Sequence, residues 1–368
     1  MESDIPTMMT AAQQSSYGEA RNVITLRQDV PVHRELSCKQ ILVRTYAAAI
    51  NPIDWKVLQG SLSFIKRFSF PHIPGTDVAG VVVAVGASVK RLHVGDKVYG
   101  NLGADGGSYA EYVCAKESLF ALKPANLTMV QAAAIPLACL TSYQALFRTA
   151  SPGVESQSKI MICGGSTATG LYAIQLAKAV GAHVATTCSQ RNFDLLGQLG
   201  YKVIQADGNT TVDSERLLVI DYNNKDFGQE LKGHNFDIVY DCVGGEQQEI
   251  AARQILKPGG QFITLVGNDP EMKVTLGYIA SLGSTILSHK IQSIVDSTKP
   301  VYRFFALRES YEDLDELRTR FLETNKVKPI IDTVFDWRKD GVEALHGMYE
   351  KSKSGKAQGK LLLKIVDE

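Results

Sequence analysis

The sequence has no surplus of charge of either sign: Lys+Arg and Asp+Glu are equal, at 39 each over 368 residues. With no whole-molecule field, neither nucleic acid nor an anionic membrane is an expected partner. Apolar stretches long enough to span a bilayer are missing too, which argues against a membrane protein. Cysteine is sparse: Cys38, Cys114, Cys139, Cys163, Cys188 and Cys242 include no Cys-x-x-Cys pair. That spacing argues against a metal cluster or a disulfide framework and for buried free thiols in a reducing compartment. The opening residues, MESDIPTMMTAAQQSS, begin with acids, lack the apolar core of a secretory signal and hold too little Arg for a transit peptide. The expected location is the cytoplasm.

What is present is globular in character, 45% hydrophobic and 21% charged, with no internal repeat or low-complexity tract. The length points to two domains, or one large one. In the first third, short β-like runs (Gln40–Ala47, Val78–Val85, Lys97–Tyr99) end in turn signals and predict a β-rich domain. From about Thr128 the texture changes. An Ala-rich helix over Met129–Ala150, interrupted at Pro136, leads into alternating strands and helices: Lys159–Cys163, Gly170–Val180, His183–Thr187, Phe193–Leu199, Asp237–Cys242, Gln247–Leu256 and Gln261–Val266. Such alternation predicts a parallel sheet covered on both faces. The closing runs Lys328–Phe335 and Lys360–Val366 return to β-like sequence and are expected to rejoin the first domain, making it discontinuous.

The strongest local signal starts at Lys159: a buried strand, the small-residue turn Gly164-Gly-Ser-Thr-Ala-Thr-Gly170, then an amphipathic helix. That arrangement aims free backbone N–H groups and the positive end of a helix at a pyrophosphate. Aligned on Gly170, the dinucleotide fingerprint G-x-G-x-x-G has Thr167 at its middle glycine, so either the diphosphate sits farther out or the hydroxyls of Ser166, Thr167 and Thr169 contribute contacts. The following strand ends Thr187-Cys188-Ser189-Gln190-Arg191, with no acid until Asp194. NAD sites place a carboxylate here for the ribose diol; a hydroxyl followed by a guanidinium suits the 2′-phosphate of NADPH instead. A third strand, Phe236–Asp241, runs into Gly244-Gly245, where backbone can approach a flat ring, and Gln261–Val266 repeats the pattern. Asp241 reads as a structural acid at a strand end.

Taken together, Asn51-Pro-Ile-Asp-Trp-Lys56, Pro74-Gly-Thr-Asp-Val-Ala-Gly80, Val94–Gly100, Gly107–Tyr112, Ala134-Ile-Pro136, Thr141, the nucleotide turn, Ile220-Asp-Tyr222, Asp241–Gly245 and Gly355–Lys360 carry a resemblance over nearly the whole chain. The chain resembles the quinone oxidoreductase branch of the medium-chain dehydrogenases/reductases, the zeta-crystallin-like quinone reductases and enone/alkenal reductases. Zinc-dependent members carry Cys at the position of Asn51, Gly-His-Glu at Gly75-Thr76-Asp77, and a four-cysteine lobe where only Asn101–Ser108 lies here. Both ligand sets needed for catalytic and structural zinc are replaced, so no metal is expected, and hydride delivery to an electron-poor quinone or conjugated carbonyl is.

The resemblance implies an α/β chain: a Rossmann doubly wound domain at 139–304 and a discontinuous β-rich GroES-like domain at 1–138 and 305–368. It places Asn51, Asp54 and Lys56 beside the nicotinamide as catalytic residues, with Lys56 donating to the reducible carbonyl. Thr141, Ser166, Thr167, Ala168, Thr169, Ser189, Arg191, Tyr222, Gly244, Val266, Lys356 and Lys360 are implied to contact NADPH. The implied activity is NADPH-dependent quinone reduction; enone or alkenal double-bond reduction is the alternative, and a non-catalytic binding or structural member is the reading from another class. Trp55, Phe64, Phe68, Phe304 and Phe305 are available to line an acceptor pocket, though ordinary core or interface packing is the commoner role for such side chains. Assembly as a homodimer or homotetramer is expected, with Ser284–Ser288 as an edge strand. One departure from the family is the extra stretch Tyr201–Val219, expected to form a protruding excursion or an added strand, which bears on where Tyr222 falls.

Overall fold

The structure, a computed structural model, describes residues 5–64, 66–207, 210–267, 296 and 299–368. The chain divides into two units: Met1–Leu140 with Arg308–Asn325 and Pro329–Glu368, and Thr141–Leu307 with Lys326–Lys328. The expected edge strand Ser284–Ser288 lies outside the described residues.

In the second unit, runs rich in Val, Ile and Ala become strands buried on both faces; Ile160, Met161, Ile162 and Cys163 are all fully buried. Seven strands form one parallel sheet in the order Lys202–Gln205, Arg216–Asp221, His183–Cys188, Lys159–Cys163, Phe236–Asp241, Leu256–Thr264, Val301–Phe304. From Lys159–Cys163 the chain first builds outward on one side, then returns to place Phe236–Asp241 on the other. This is the doubly wound arrangement, and its point of reversal sets the carboxyl ends of those two strands, Cys163 and Asp241, side by side. The helix Ala168–Ala179 follows the first of them.

The extra stretch contributes an added strand, Lys202–Gln205, parallel to Arg216–Asp221 at the sheet edge. Its return is held by the Lys178 ammonium, which donates to the carbonyls of Asp213 (2.9 Å), Ser214 (3.2 Å) and Arg216. Burial lowers the Lys178 pKa to about 8, with Asp213 opposing the shift. Three carbonyl oxygens thus replace the water lost by a largely buried ammonium.

The first unit is β-rich. Its larger sheet runs in the order Ile331–Asp336, Lys360–Lys364, Gln40–Ile50, Asp77–Val85, Lys97–Asn101, Phe120–Leu122, with Tyr112–Lys116 also pairing Gln40–Ile50. Gln40–Ile50 is central, antiparallel to three neighbours, and its Ile41 and Val43 pack with Val78, Val82, Val98 and Phe120. Met8–Gln14 and Ile24–Pro31 form a separate antiparallel ribbon. The helix Pro52–Leu58 leaves the end of the central strand directly, Asn51 being its N-cap.

The expected helix Met129–Ala150 is three pieces: Met129–Ala133, Pro136–Gln144 and a π-helical turn over Ala145–Thr149. Pro136 has no N–H to continue a helix, so it opens the second piece instead. Cys139, Cys163 and Cys188 are buried and free as expected; Cys114 and Cys242 are half-buried, and Cys38, in a polar turn before Gln40, is exposed. Among the described residues no helix is long and apolar enough to cross a membrane.

Replacing Lys178 with Met leaves those carbonyls without their donor, at a cost of about 1–3 kcal/mol. A lowered Tm and faster limited proteolysis around Asp213–Arg216 are expected; an unchanged cleavage pattern would show that the ammonium does not hold the segment.

Candidate functional site

Two constellations draw together the residues singled out by sequence, one in each unit.

The first is the turn between Cys163 and the helix Ala168–Ala179. Gly164 takes a φ of +83°, in the left-handed region where glycine is favoured. A Cβ on Gly165 would lie 2.1 Å from the Thr186 hydroxyl, and one on Gly170 would lie 2.2 Å from the Gly164 carbonyl. Both outer glycines of the fingerprint are therefore required by close packing of turn, helix and neighbouring strand. Thr167, at the middle position, is the helix N-cap: its hydroxyl accepts from the Gly170 N–H at 3.0 Å and donates to the Gly164 carbonyl at 2.8 Å. Its oxygen is thus engaged within the turn. Ser166, Thr167, Ala168 and Thr169 remain partly exposed as a rim. The first-turn N–H groups of a helix have no intrahelical partner, so this small-residue rim fits the diphosphate of a dinucleotide.

Beside it, the strand His183–Cys188 ends in Ser189, which is buried, and Arg191, which is exposed and has no ion pair among the described residues. Asn192, not singled out by sequence, joins the two loops: its amide donates to the Ser166 hydroxyl at 3.0 Å and the Ser189 hydroxyl at 3.4 Å. Asp221, across the sheet from Cys188, is the nearest strand-end acid. Its oxygens accept from the Asn223 N–H (3.1 Å), the Asn223 amide (2.9 Å) and the Asn224 amide (2.7 Å). The Asn223 backbone N–H chiefly, then the two amides and the Gln190 N–H, hold its carboxyl below the usual range. Tyr222, next in sequence, is 57% exposed.

Asp241 likewise organises a loop, accepting from the N–H groups of Val243 (3.0 Å) and Gly244 (2.9 Å) and from the Thr264 hydroxyl (2.8 Å). Burial raises its pKa against those three hydrogen bonds. Gly244, at φ +81°, packs against Val266, where a Cβ would meet the Val266 side chain at 2.8 Å. Thr141 is buried, and the adjacent Ser142 hydroxyl donates to the Thr169 carbonyl at 2.8 Å.

The second constellation lies in the β-rich unit and centres on Asp77, whose exposure is 0%. Its carboxylate accepts from the Asn51 amide (2.8 Å), the Asn101 amide (2.9 Å), the Leu137 N–H (2.9 Å) and the Lys360 ammonium (3.3 Å). Lys360 also donates to the Asn51 Oδ1 (2.6 Å) and the Ile50 carbonyl (3.2 Å). Asn51 and Asp54 close a capping box at the start of Pro52–Leu58, with the Asn51 N–H 2.7 Å from Asp54 Oδ2. Burial pushes the Asp54 carboxyl up to about 7; Asp77 adds to the rise, while the Asn51 N–H, Lys360 and the Thr76 hydroxyl oppose it. The hydroxyls of Ser108, Tyr109 and Tyr349, also in this unit, are buried with no hydrogen-bond partner among the described residues.

Asn51, Asp54 and Lys56 therefore come together on one turn as the sequence indicates, but the first two are committed to internal hydrogen bonds. Lys56 is buried, with its ammonium 5.6 Å from the centre of the Trp55 ring. Lys360 has all three N–H donors engaged inside its own unit, whereas Lys356 is exposed. Thr76 and Asn101, which sequence reasoning did not single out, belong to the cluster; only a buried Asn near a buried Asp signals them, and burial is not written in the sequence. Among the described residues no group of three His, Cys, Asp or Glu is placed to hold a metal.

Two family models match the chain: the alcohol dehydrogenase GroES-like domain over residues 37–125 and the zinc-binding dehydrogenase over residues 217–363. The 2-methylene-furan-3-one reductase of Solanum lycopersicum is 34% identical, covering 98% of this chain and 80% of its own length. The chloroplastic NADPH-dependent alkenal/one oxidoreductase of Arabidopsis thaliana is 32% identical over 88% and 79%, and the chloroplast envelope quinone oxidoreductase homolog of that plant 31% over 97% and 98%. Among solved structures, the quinone oxidoreductase from Coxiella burnetii superposes with a TM-score of 0.77 at 28% identity, covering 98% of this chain and 100% of its own.

The Asp54 carboxyl titrates near 7 in the folded chain and near 3.8 when unperturbed. Between those values the folded state binds the extra proton, so stability falls as pH rises across that window and stays low above it. Asp54→Asn keeps an acceptor for the Asn51 N–H and removes the titration. Its Tm relative to wild type should climb through the window and level off above neutrality; a difference independent of pH would show that Asp54 titrates normally.

Proposed function

Because the chain belongs to the quinone oxidoreductase branch of the medium-chain dehydrogenases/reductases, we propose that it is an NADPH-dependent reductase of quinones. The observation that carries the cofactor preference is the loop after His183–Cys188. It presents an exposed Arg191 beside Ser189, and the neighbouring acid Asp221 has its oxygens spent on loop amides. A guanidinium beside a hydroxyl donor welcomes a 2′-phosphate, and the strand that delivers them carries no acid of its own before Asp194.

When bound, NADPH supplies a hydride to an electron-poor acceptor. The chain's own contribution is positioning and electrostatics. Ser166, Ala168 and Thr169 hold the diphosphate on the rim of the turn, while Thr167 keeps that turn in shape by capping the helix. Ser189 and Arg191 take the 2′-phosphate, with Tyr222 flanking it. Gly244 and Val266 offer a flat, side-chain-poor surface to the ring system, and Thr141 and Lys356 complete the cofactor set. Lys56 donates an N–H to the acceptor oxygen, where negative charge develops as hydride arrives. Asn51 and Asp54 fix the turn that carries Lys56. The proton that completes a hydroquinone is taken up on oxygen from solvent.

A second reading, reduction of an enone or alkenal at its β-carbon, is supported by the Asn51-Pro-Ile-Asp-Trp-Lys56 pattern and by relatives named for such substrates. It uses the same residues, with Lys56 donating to the enolate oxygen.

Arg191→Glu is expected to weaken NADPH by roughly 30-fold, about 2 kcal/mol, while changing NADH little. Equal losses for both cofactors, read by calorimetry, would remove Arg191 from the phosphate site. Steady-state NADPH oxidation with 9,10-phenanthrenequinone against a short alkenal separates the two acceptor readings: a larger kcat/KM for the quinone is expected, and turnover of the alkenal alone would overturn it.

A further inference from the structure

We propose that Lys360 is a positioning residue for the acceptor site, holding the Asn51 carboxamide in one orientation and thereby fixing the turn that carries Lys56. The inference rests on the reductase reading above, but its geometry lies wholly within the β-rich unit.

An ammonium has three donors and no acceptor. Those of Lys360 reach Asn51 Oδ1 at 2.6 Å, the Ile50 carbonyl at 3.2 Å and Asp77 Oδ2 at 3.3 Å, on a side chain only 2% exposed. No donor is left for the cofactor, the contact that family resemblance alone implies for this lysine. The backbone delivers it inward: Gly359, at φ +125°, passes so close to Ile330 that a Cβ would lie 2.5 Å from its carbonyl, and the Lys360 N–H bonds that same carbonyl at 2.8 Å.

The consequence falls on Asn51. Its Oδ1 faces the ammonium, while its amide nitrogen faces Asp77 Oδ2 at 2.8 Å and the Thr76 hydroxyl at 3.3 Å. Turning the amide over would set NH₂ against a cation and a carbonyl oxygen against a carboxylate, both repulsive. Lys360 and Asp77 therefore lock one rotamer and one flip state. The backbone of the locked residue starts the helix: its N–H bonds Asp54 Oδ2 and its carbonyl accepts the Asp54 N–H at 2.9 Å. Lys56 follows two residues on.

Lys360 also acts on the charge of Asp54. The groups bearing on that carboxyl are Asp77 from the strand Asp77–Val85, Lys360 from the last strand, the Thr76 hydroxyl, and the phenols of Tyr109 and Tyr349. Of these, Lys360 alone is a cation, and it lowers the Asp54 pKa against burial.

The test compares wild type with Lys360→Met and with the charge-balanced Lys360→Met/Asp77→Asn, which removes the Asp77 charge that Lys360 balances and keeps the test open if the single variant fails to fold. Hydrogen exchange over residues 51–58 should quicken in the variants by about tenfold, independently of cofactor. With the NADPH dissociation constant within about threefold of wild type, kcat should fall at least about tenfold. In the single variant the pH window over which Asp54 lowers stability should move upward, and it should move back when Asp77 is also neutralised. Unchanged exchange, or an NADPH affinity about tenfold weaker with kcat preserved, would overturn the proposal and return Lys360 to the cofactor. Wild type failing to bind NADPH would sink the functional reading instead, leaving the exchange measurement to decide the role of Lys360.

Discussion

Removing the Asp77 carboxylate from water costs several kcal/mol unless its lone pairs are matched, and the fold matches them from separate stretches of chain. Asn51 comes from the end of the central strand, Asn101 from the end of the strand Lys97–Asn101, Leu137 from the helix opened by Pro136, and Lys360 from the last strand. Each donor is a backbone or short-amide group except one, and that one is the cation. The β-rich unit thus closes around one fully buried carboxylate. The last of its donors arrives only after the chain has passed through the other unit and returned.

A shared economy runs through the acids at strand ends. Asp77, Asp221 and Asp241 each turn their oxygens onto hydrogen-bond donors from the loops and strands beside them, and so hold backbone in place. Asp54 differs. Its two recorded donors are the Asn51 N–H and a distant Thr76 hydroxyl at 3.5 Å, and burial is correspondingly free to move its pKa. Asp241 feels the same push from burial, there opposed by three donors rather than two.

The fold was legible because its signals are local. Apolar runs bounded by glycine, and strands alternating with helices, need no knowledge of distant neighbours to be read. The turn at Gly164–Gly170 was legible as a tight small-residue turn from strand into helix, and the misplaced Thr167 was visible as a departure; that it serves as a cap depends on a hydroxyl direction that sequence does not carry. The extra stretch Tyr201–Val219 left two shapes open, and the edge strand Lys202–Gln205 decides between them. Less of the site could be read. Asn192 bridging Ser166 to Ser189, and Lys360 turning inward rather than outward, are contacts over 26 and 309 positions of sequence, and no periodicity encodes them.

A buried Lys–Asp pair is poor evidence of stability, since well-packed apolar side chains of similar volume often do as well or better. What apolar replacements lack is direction. They would leave the Asn51 amide free to flip and the helix start at Pro52 without a fixed register, and a lysine four residues beyond would lose its aim by an ångström or more, a displacement that alone can cost a hundredfold in rate. On the proposed function, the ion pair is therefore best understood through the precision it gives the turn from Asn51 to Lys56: one fixed cation inside the sheet holds the turn from which a second, Lys56, is offered to the acceptor.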